Sequence, residues 1–302
     1  MSKCEWCRVE ELGSGVYAIL DLHGGWFRSN TGLIDMGDYT VVVDTQYNEI
    51  RAKDVLRIIE DLDLPPPRLI INTHHHGDHA WGNHVFNVPA VMHENAYRVA
   101  SLLKDVAPDI YKPFFPQLDF TGAKYTLPEI VVNNHLTLTG SRGELQLYHI
   151  GPAHTVGDII VEVPWIKTVF VGDIVFNKVT PLALDGTLKG WLRTLNVIQE
   201  KYRDYTIIGG HGPIANNETL DQLKYYLESI LVETEKQILK GITDPLKIAL
   251  SIKNPPLSDW RENERIVLNI QRAIMDIEKH PPGEPVSNLP ELAVKMKKFS
   301  RI

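Results

Sequence analysis

The motif that decides the fold lies in residues 72–83, which read NTHHHGDHAWGN. Six consecutive positions hold four histidines and one aspartate, in the spacing His74-x-His76-x-Asp78-His79. Alternate residues of an extended turn point the same way, so His74 and His76 can bind one ion while Asp78 and His79 are directed elsewhere. This spacing predicts a metal site, although a single motif match needs support from other segments.

Histidines and aspartates also follow three later runs of strand-like sequence. ELQLYHI comes shortly before His154, KTVFVG before Asp173 and YTIIGG before His211. Taken alone, His154 or His211 is more simply explained as a polar turn residue. Imidazole and carboxylate are, however, ligands of zinc, iron and manganese, and three or four converge on each ion. Five of the twelve histidines and two aspartates occupy such positions, which is enough for two ions.

The order of predicted elements places these groups at strand ends. Apolar runs at residues 15–22, 31–37 and 39–45 have the length and β-branched content of strands. A helix then follows from a cap at Asn48 and stops at the prolines 65–67. Strands that alternate with helices predict an α/β protein, whose functional groups gather where strands end.

The C-terminal part of the sequence predicts helices. Residues 217–239 repeat apolar side chains at helical spacing and end near Gly241. A second helix is predicted from about Asp259 to Glu278, between proline-rich segments. We expect these helices to pack on the α/β body.

Composition and charge restrict the partners. The 302 residues are 43% hydrophobic and 23% charged, as in soluble globular proteins, and the net charge of −7 offers no attraction for nucleic acid. The N-terminus lacks the apolar core of a signal peptide, and there is no uncharged apolar stretch of about 18 residues. The sequence therefore predicts a cytoplasmic protein without nucleic-acid or membrane partners and leaves the oligomeric state open.

Cys4 and Cys7 are the only cysteines and form a single C-x-x-C. A four-cysteine zinc ribbon needs a second pair, and a redox C-x-x-C belongs near a βαβ unit. The position favours an exposed or frayed terminus, with a local disulfide or adventitious metal binding as the alternatives.

Five segments of this sequence resemble successive motifs of the metallo-β-lactamase superfamily. They are VVVDT, THHHGDH, GPAHTVGD, FVGDIVF and GGHGP, in that order, and the resemblance covers roughly residues 15–230. It implies an αβ/βα sandwich of two β-sheets with helices outside and metals at one edge. On this basis residues 1–215 form the metallo-β-lactamase-like domain, and 216–302 are a C-terminal helical extension packed on the same domain.

The resemblance also implies a ligand set for two divalent ions. We expect zinc because the ligands are nitrogen and oxygen, with iron or manganese as alternatives. Asp44 would orient ligands without binding metal. The first ion would be held by His74, His76 and His154, the second by Asp78, His79 and His211, with Asp173 bridging the two.

Other segments are assigned to the surroundings of the metals. In the family, the hairpin equivalent to DLHGGWFRSNTG, residues 21–32, overhangs the metals, so Trp26 and Phe27 would contact substrate or simply cover the sheet edge. His75 points away from its neighbours in an extended turn, which predicts a supporting or solvent-facing position. The insert DIYKPFFPQLDF and the loop FNKVTPLALDGTLKGW are expected to shape the pocket.

The expected chemistry is hydrolysis of a small molecule. Two ions that share a water lower its pKa, so a metal-bridging hydroxide would attack a lactone, carboxyl ester or phosphoester. Asp78 and Asp173 are the predicted catalytic residues, and Asp78 would orient the nucleophile or relay its proton. No side chain is identified for protonating the leaving group, because no tyrosine or histidine follows Asp173 before Tyr202.

Four alternatives stay open. A glyoxalase-II-like thioesterase would use cations such as Lys178, Lys189 or Arg193, and a β-lactamase would share the metal site. Many β-lactamases of this fold lack the bridging aspartate and are exported, whereas this sequence has Asp173 and no predicted signal peptide, which makes the β-lactamase the less favoured interpretation. A mononuclear-iron persulfide dioxygenase would leave the second ligand set unused. A purely structural metal site would be a closed tetrahedron, often with cysteine, which this cluster lacks.

Overall fold

The computed structural model describes residues 4–252 and 257–300. Within these residues the first sheet has seven strands in sequence order, β1 to β7. Its first four strands pair antiparallel and the last four pair parallel, so β4 belongs to both patterns. The strands are β1 Cys7–Gly13, β2 Val16–Asp21, β3 Thr31–Asp35, β4 Thr40–Val43, β5 Pro67–Ile71, β6 Ala90–His93 and β7 Ile130–Val132.

The second sheet has five strands in the described chain, in the order β12-β11-β10-β9-β8. Only its β11 and β12 pair parallel, and the other neighbours pair antiparallel. The strands are β8 His135–Gly140, β9 Gly143–His149, β10 Ile159–Val163, β11 Thr168–Phe176 and β12 Thr206–His211.

Helices connect the strands and make up the C-terminal part of the described chain. Short 3₁₀ turns lie at Lys112–Phe114, Pro164–Ile166 and Asn263–Arg265. The α-helices are α1 Glu49–Asp61, α2 Gly77–Ala80, α3 Asn83–Phe86, α4 Glu94–Leu103, α5 Leu188–Lys201, α6 Asn217–Ile238, α7 Pro245–Ser251, α8 Ile266–Ile277 and α9 Leu289–Phe299.

The layers follow from side-chain alternation along the strands. In β4, Val41 and Val43 enter the core between the two sheets, while Val42 faces the other way onto α1. In β11, Phe170 enters the same inter-sheet core, while Val169 and its alternate neighbours pack with α5, α6 and α8. The result is the expected αβ/βα sandwich, with two sheets face to face and helices outside.

The helices predicted for residues 217–278 are observed with one change of boundary. α6 begins at Asn217 and is capped by Asn216, whose side chain accepts a hydrogen bond from the Thr219 N–H in a capping box, and it ends before Gly241 as expected. The second helix begins at Ile266, later than the predicted start at Asp259. Glu262 has left-handed φ and Arg261 forms a β-bridge with Val179, so this stretch cannot be helical.

The prediction of an exposed or frayed N-terminus is wrong. Residues from Cys7 onward form β1, which pairs along β2, and Cys7 is buried. Cys4 and Cys7 are joined by a disulfide, and Trp6 donates a hydrogen bond from its indole N–H to Asp54 on α1. Sequence spacing could not show that the segment adds a strand to the edge of the sheet.

Among residues 4–252 and 257–300, none of the helices combines the length and apolar character needed to cross a membrane.

Packing of α6 against the second sheet gives a test of the fold. Leu223 on α6 is fully buried in the cluster that also contains Trp191 and Ile270, whereas Leu239 is 84% exposed. We expect Leu223→Ala to reduce the free energy of unfolding by about 3 kcal/mol, and Leu239→Ala to change it by less than about 0.5 kcal/mol. Urea unfolding followed by circular dichroism measures both, and equal stabilities would contradict this packing.

Candidate metal centre

The predicted ligands converge at one edge of the sandwich. They come from five places: the β5–α2 loop, α2, the β9–β10 loop, β11 and β12. Within each of two groups, one potential ligand atom per residue lies within 4.8 Å of the others. The first group is His74, His76, His154 and Asp173, and the second is Asp78, His79 and His211.

The loop that carries the histidine motif is fixed by a network of amides. Asn72 donates its backbone N–H to Val91 and its side-chain N–H to the His79 carbonyl, at 3.0 and 2.8 Å. Asn83 donates to the Asn72 side chain at 2.7 Å, and Thr45 donates its hydroxyl to Asn83. These bonds hold both ends of the motif, so the histidines are positioned before any ligand binds.

The first group brings together three imidazoles, those of His74, His76 and His154. Nδ1 of His76 lies 2.9 Å from Nε2 of His154. Nε2 of His154 and Nε2 of His74 lie 3.4 and 3.9 Å from Oδ2 of Asp173. Three ring nitrogens and a carboxylate oxygen therefore face a common point.

The second group gathers around the other oxygen of the same aspartate. Oδ1 of Asp173 lies 3.2 Å from Nε2 of His79 and 3.3 Å from Nε2 of His211. Oδ2 of Asp78 lies 3.3 Å from Nε2 of His211 and 3.6 Å from Nε2 of His79. Asp173 thus presents one oxygen to each group, the arrangement that a bridging ligand requires.

Asp173 lies within β11, not beyond its end as the sequence predicted. The pairing of β11 with β12 is irregular on both sides of Gly172, and Gly172 has left-handed φ of 52°. A β carbon at Gly210 would lie 1.9 Å from Oδ1 of Asp173, so only glycine leaves room for this carboxylate. The irregular pairing and the missing side chain let a mid-strand residue reach the site.

Three of these histidines contact an oxygen atom of the protein through Nδ1, the ring nitrogen that points away from the other potential ligands. Nδ1 of His79 lies 2.7 Å from Oδ2 of Asp44, as the orienting role implied. Nδ1 of His74 lies 3.1 Å from Thr73 Oγ1, and Nδ1 of His211 lies 2.9 Å from the carbonyl of Arg28. Such contacts fix the ring orientation and the tautomer, which leaves Nε2 free for a ligand.

The histidines of the site differ in their electrostatics. Burial lowers the pKa of His76, but Asp185, Asp78 and Asp173 outweigh burial and raise it. Burial and nearby His79 and His76 hold the pKa of His74 well below its usual value, and burial lowers the pKa of His154 to about 3. Burial alone would lower the pKa of His211 as well, but Asp173 and Asp78 raise it to about 9. The neighbouring carboxylates therefore favour the charged form of His211, whereas burial favours the neutral forms of His74 and His154.

Burial raises the pKa of both carboxylates, but the surrounding histidines outweigh it. His79 and His211 lower the pKa of Asp78 to about 2, and His211, His79 and His154 hold that of Asp173 well below its usual range. Both aspartates are ionised at neutral pH and can act as ligands without losing a proton.

The donor atoms fit metal ions. Nε2 of His74, Nε2 of His79 and Oδ1 of Asp173 are buried without a hydrogen-bond partner among the described residues. Buried polar atoms are normally paired, because leaving one unpaired costs about 1–3 kcal/mol. Ions bound to these nitrogen and oxygen atoms would satisfy them.

His75 differs from the sequence prediction in part. It points away from the two groups, but it is buried and does not face solvent. Its Nε2 lies 2.9 Å from Oδ2 of Asp185, a residue that the sequence analysis did not select. Asp185 could have been noticed as the one acidic side chain in the pocket loop FNKVTPLALDGTLKGW.

Trp26 and Phe27 lie against the aromatic insert. Phe27 stacks on Trp81 with ring centroids 5.4 Å apart and meets Tyr111 edge-on at 5.7 Å. Trp26 contacts Phe115 at 5.1 Å and the guanidinium of Arg265 at 4.4 Å. Both side chains are half-buried and pack on the insert.

Comparison with known proteins agrees with this architecture. The model of the metallo-beta-lactamase superfamily matches residues 24–211. The curated metallo-beta-lactamase type 2 of Bacteroides fragilis is 20% identical over 236 residues, which are 76% of this chain and 88% of that protein.

Solved structures with the same fold include a metallo-beta-lactamase from Pontibacter korlensis, with a TM-score of 0.60 and 21% identity over 74% of this chain and 99% of that one. The metallo-beta-lactamase FIM-1 from Pseudomonas aeruginosa, in a mono-zinc form, has a TM-score of 0.59 and 18% identity over 74% and 95%. At these identities the structural likeness shows the fold alone.

The different surroundings of His74 and His75 give a direct test. In His74→Gln the first group loses an imidazole, so we expect one of the bound ions to be lost. His75→Gln keeps an N–H that can donate to Asp185, so we expect the metal content of the unchanged protein. Metal analysis after reconstitution with zinc measures both variants, and equal loss of metal would show that the assignment of ligands within the motif is wrong.

Proposed function

The chain belongs to the metallo-beta-lactamase superfamily of metal-dependent hydrolases, and we propose that it uses two divalent ions to cleave an ester-type bond of a small molecule. The observation that carries this proposal is the position of Asp173. Its two oxygens lie 3.2–3.9 Å from ring nitrogens of two separate histidine groups. A single carboxylate shared in this way suits a pair of ions better than one.

His74, His76 and His154 would hold one ion, and Asp78, His79 and His211 the other, with Asp173 between them. When bound, such ions make a shared water acidic enough to supply hydroxide near neutral pH, and they polarise the bond under attack. Zinc is the metal that we favour, because the ligands are imidazoles and carboxylates and because the structurally similar FIM-1 was solved in a mono-zinc form.

The protein's own groups would orient the reaction. Asp78 is ionised, with a pKa of about 2, and one of its oxygens lies 3.3 Å from His211. The carboxylate can therefore accept a hydrogen bond from the nucleophile and hold it toward the substrate. His79 and His211 keep their positions through Asp44 and the Arg28 carbonyl, so the geometry need not rearrange when substrate binds.

We propose Tyr111 as the proton donor for the leaving group, for which the sequence offered no side chain. Burial, with added repulsion from Asp185 and Asp78, raises its pKa to about 12, so the phenol stays neutral at physiological pH. A neutral O–H near these two carboxylates can donate to a developing oxyanion or to a leaving oxygen. The residue comes from the aromatic insert, which was expected to shape the pocket.

The surroundings favour a compact, partly apolar substrate. Phe27 and Tyr111 contact each other edge-on, and burial together with the charges of Asp185 and Asp78 raises the pKa of Tyr111 to about 12, which associates this aromatic pair with the site. Lactones, carboxyl esters and phosphoesters of modest size fit this environment better than a polyanion does. β-Lactam hydrolysis is a second candidate, favoured by the activity that the names of the relatives state.

A thioester substrate of the glyoxalase-II type has weaker support. Its carboxylate would need a cation at the site. Of the three cations considered, Lys178 lies against the ring of Trp260, at 5.8 Å from the centroid, and Lys189 and Arg193 are exposed on α5. A mononuclear-iron dioxygenase is disfavoured because Asp78, His79 and His211 form a second complete group of potential ligands.

The proposed function is tested by metal analysis combined with a substrate panel. Reconstituted protein should bind two transition-metal ions per chain and hydrolyse lactones, aryl esters or phosphodiesters faster than thioesters or β-lactams. Removal of the ions with a chelator should abolish hydrolysis, and zinc should restore it. A stoichiometry near one ion, or activity that survives complete metal removal, would contradict the two-metal mechanism.

Replacement of the shared carboxylate is the sharpest single test. Asp173→Asn keeps the shape but removes the charge between the two groups, so we expect turnover to fall about 100-fold or more, with weaker binding of the second ion. Asp35→Asn is the matched control, because Asp35 is also a buried carboxylate but pairs with Arg142 at the far end of β3.

If Asp173 served only to cap a turn, its variant would behave like the control. Both proteins would then keep two ions and normal turnover and lose only stability. Metal stoichiometry, melting temperature and ester hydrolysis of the two variants distinguish these outcomes.

A further inference from the structure

We propose that Asp185 is a positioning residue that holds the His76 ring so that Nδ1 is the atom presented to the first ion. This inference rests on the proposed role of His76 as a metal ligand. It adds a residue to the site that lies outside the histidine and aspartate motifs.

The geometry around His76 carries the inference. Nδ1 of His76 faces the first group, 2.9 Å from Nε2 of His154, while Nε2 points in the opposite direction. Oδ1 of Asp185 lies 3.4 Å from that Nε2, and this oxygen is buried without a hydrogen-bond partner among the described residues. A small movement would turn the contact into an N–H···O bond that locks the tautomer with Nδ1 free.

In three other histidines of the centre, one ring nitrogen also contacts a protein oxygen while the other faces the site. His79, His74 and His211 each hold an oxygen with Nδ1 and present Nε2. His76 is reversed, because it presents Nδ1. Its supporting oxygen must therefore lie on the Nε2 side, where Asp185 is found.

His75 fixes the orientation of the Asp185 carboxylate. Its Nε2 lies 2.9 Å from Oδ2, which leaves Oδ1 directed at His76. Two neighbouring histidines of the motif thus share one carboxylate. This explains why a histidine that points away from the ions is buried beside them.

The backbone that carries Asp185 is held by α8 and the segment after it. Asn269 accepts the N–H of Ala183 at 2.8 Å and donates its side-chain amide to the carbonyl of Pro181. Asp276 accepts the N–H of Leu188 at 2.7 Å and the hydroxyl of Thr187. Gly283 donates its N–H to the Asp185 carbonyl at 2.9 Å, so both sides of the residue are anchored.

The loop that carries Asp185 also lies in close contact with the loop that carries His154. A β carbon at Gly186 would lie 2.0 Å from the carbonyl oxygen of Ala153 and 2.3 Å from that of His154. Thr187 donates its N–H to the same Ala153 carbonyl at 2.9 Å. The loop with Asp185 is therefore packed directly on the loop with His154, and the two cannot move independently.

Metal affinity measures the proposed role. We use His211→Gln as the parent, because it removes a ligand of the second group and leaves one ion on the first. In this parent we expect Asp185→Asn to weaken zinc binding about 10–100-fold in competition with a chromophoric chelator. The d–d absorption spectrum of bound cobalt should also shift, because an unlocked His76 ring changes the ligand field.

The control in the same parent is Asp35→Asn, which removes a buried carboxylate far from the ions. We expect Asp35→Asn to lower the melting temperature of the parent and to leave its zinc affinity and cobalt spectrum unchanged. Zinc affinity of Asp185→Asn equal to that of the parent would overturn the proposal.

A measurement on the unchanged protein covers the case in which Asp185→Asn does not fold. In ¹⁵N spectra of the zinc-loaded protein, we expect the His76 ring to carry its proton on Nε2. A zinc-bound Nε2 on His76 would overturn the proposal, and so would a third ion bound between His75, His76 and Asp185. Protein that binds no ions at all would instead contradict the proposed function, so the two failures are distinguishable.

Discussion

The buried carboxylate of Asp173 is the group on which the centre depends. An isolated carboxylate in this position would be strongly destabilised by loss of hydration. Four imidazoles within 3.9 Å provide the compensation, and Asp173 in turn raises the pKa of His79 and of His211 against the effect of their burial. Cations bound between these groups would supply positive charge, which links folding of this edge of the sandwich to metal binding.

The two sheets supply the rigidity that this charge cluster needs. Asp44, at the end of β4, accepts hydrogen bonds from the backbone N–H and hydroxyl of Thr73 and also contacts His79. Its own backbone has left-handed φ of 63°, a conformation that costs a non-glycine residue free energy and persists where surrounding contacts enforce it. One strained residue of the first sheet therefore fixes two parts of the histidine motif.

The sequence predicted those parts of the centre that depend on short spacing. His74, His76, Asp78 and His79 lie within one turn, so local geometry nearly determines their directions. The sequence also selected Asp173, but its place inside β11 depends on irregular pairing with β12, which the sequence of one strand does not reveal. Asp185 stands out as the one acidic residue of its loop, but its pairing with His75 and His76 could not be predicted, because these histidines are more than a hundred positions away and no motif joins them. The β1 edge strand was missed for a similar reason, since its stability comes from pairing with β2.

The anchoring of Asp185 extends the centre beyond the region that defines the family. The superfamily match ends at residue 211, whereas Asn269 and Asp276 belong to α8. This helix buries apolar residues in the same core as Trp191 and Leu223, and its polar side chains hold the loop that faces His76. Helix α8 therefore both packs in the core and positions the Asp185 loop, so a shift of α8 would disturb the core and the loop together. A change in the C-terminal helices can thus reach His76 and the proposed position of the first ion through backbone contacts, without altering any residue of the family motifs.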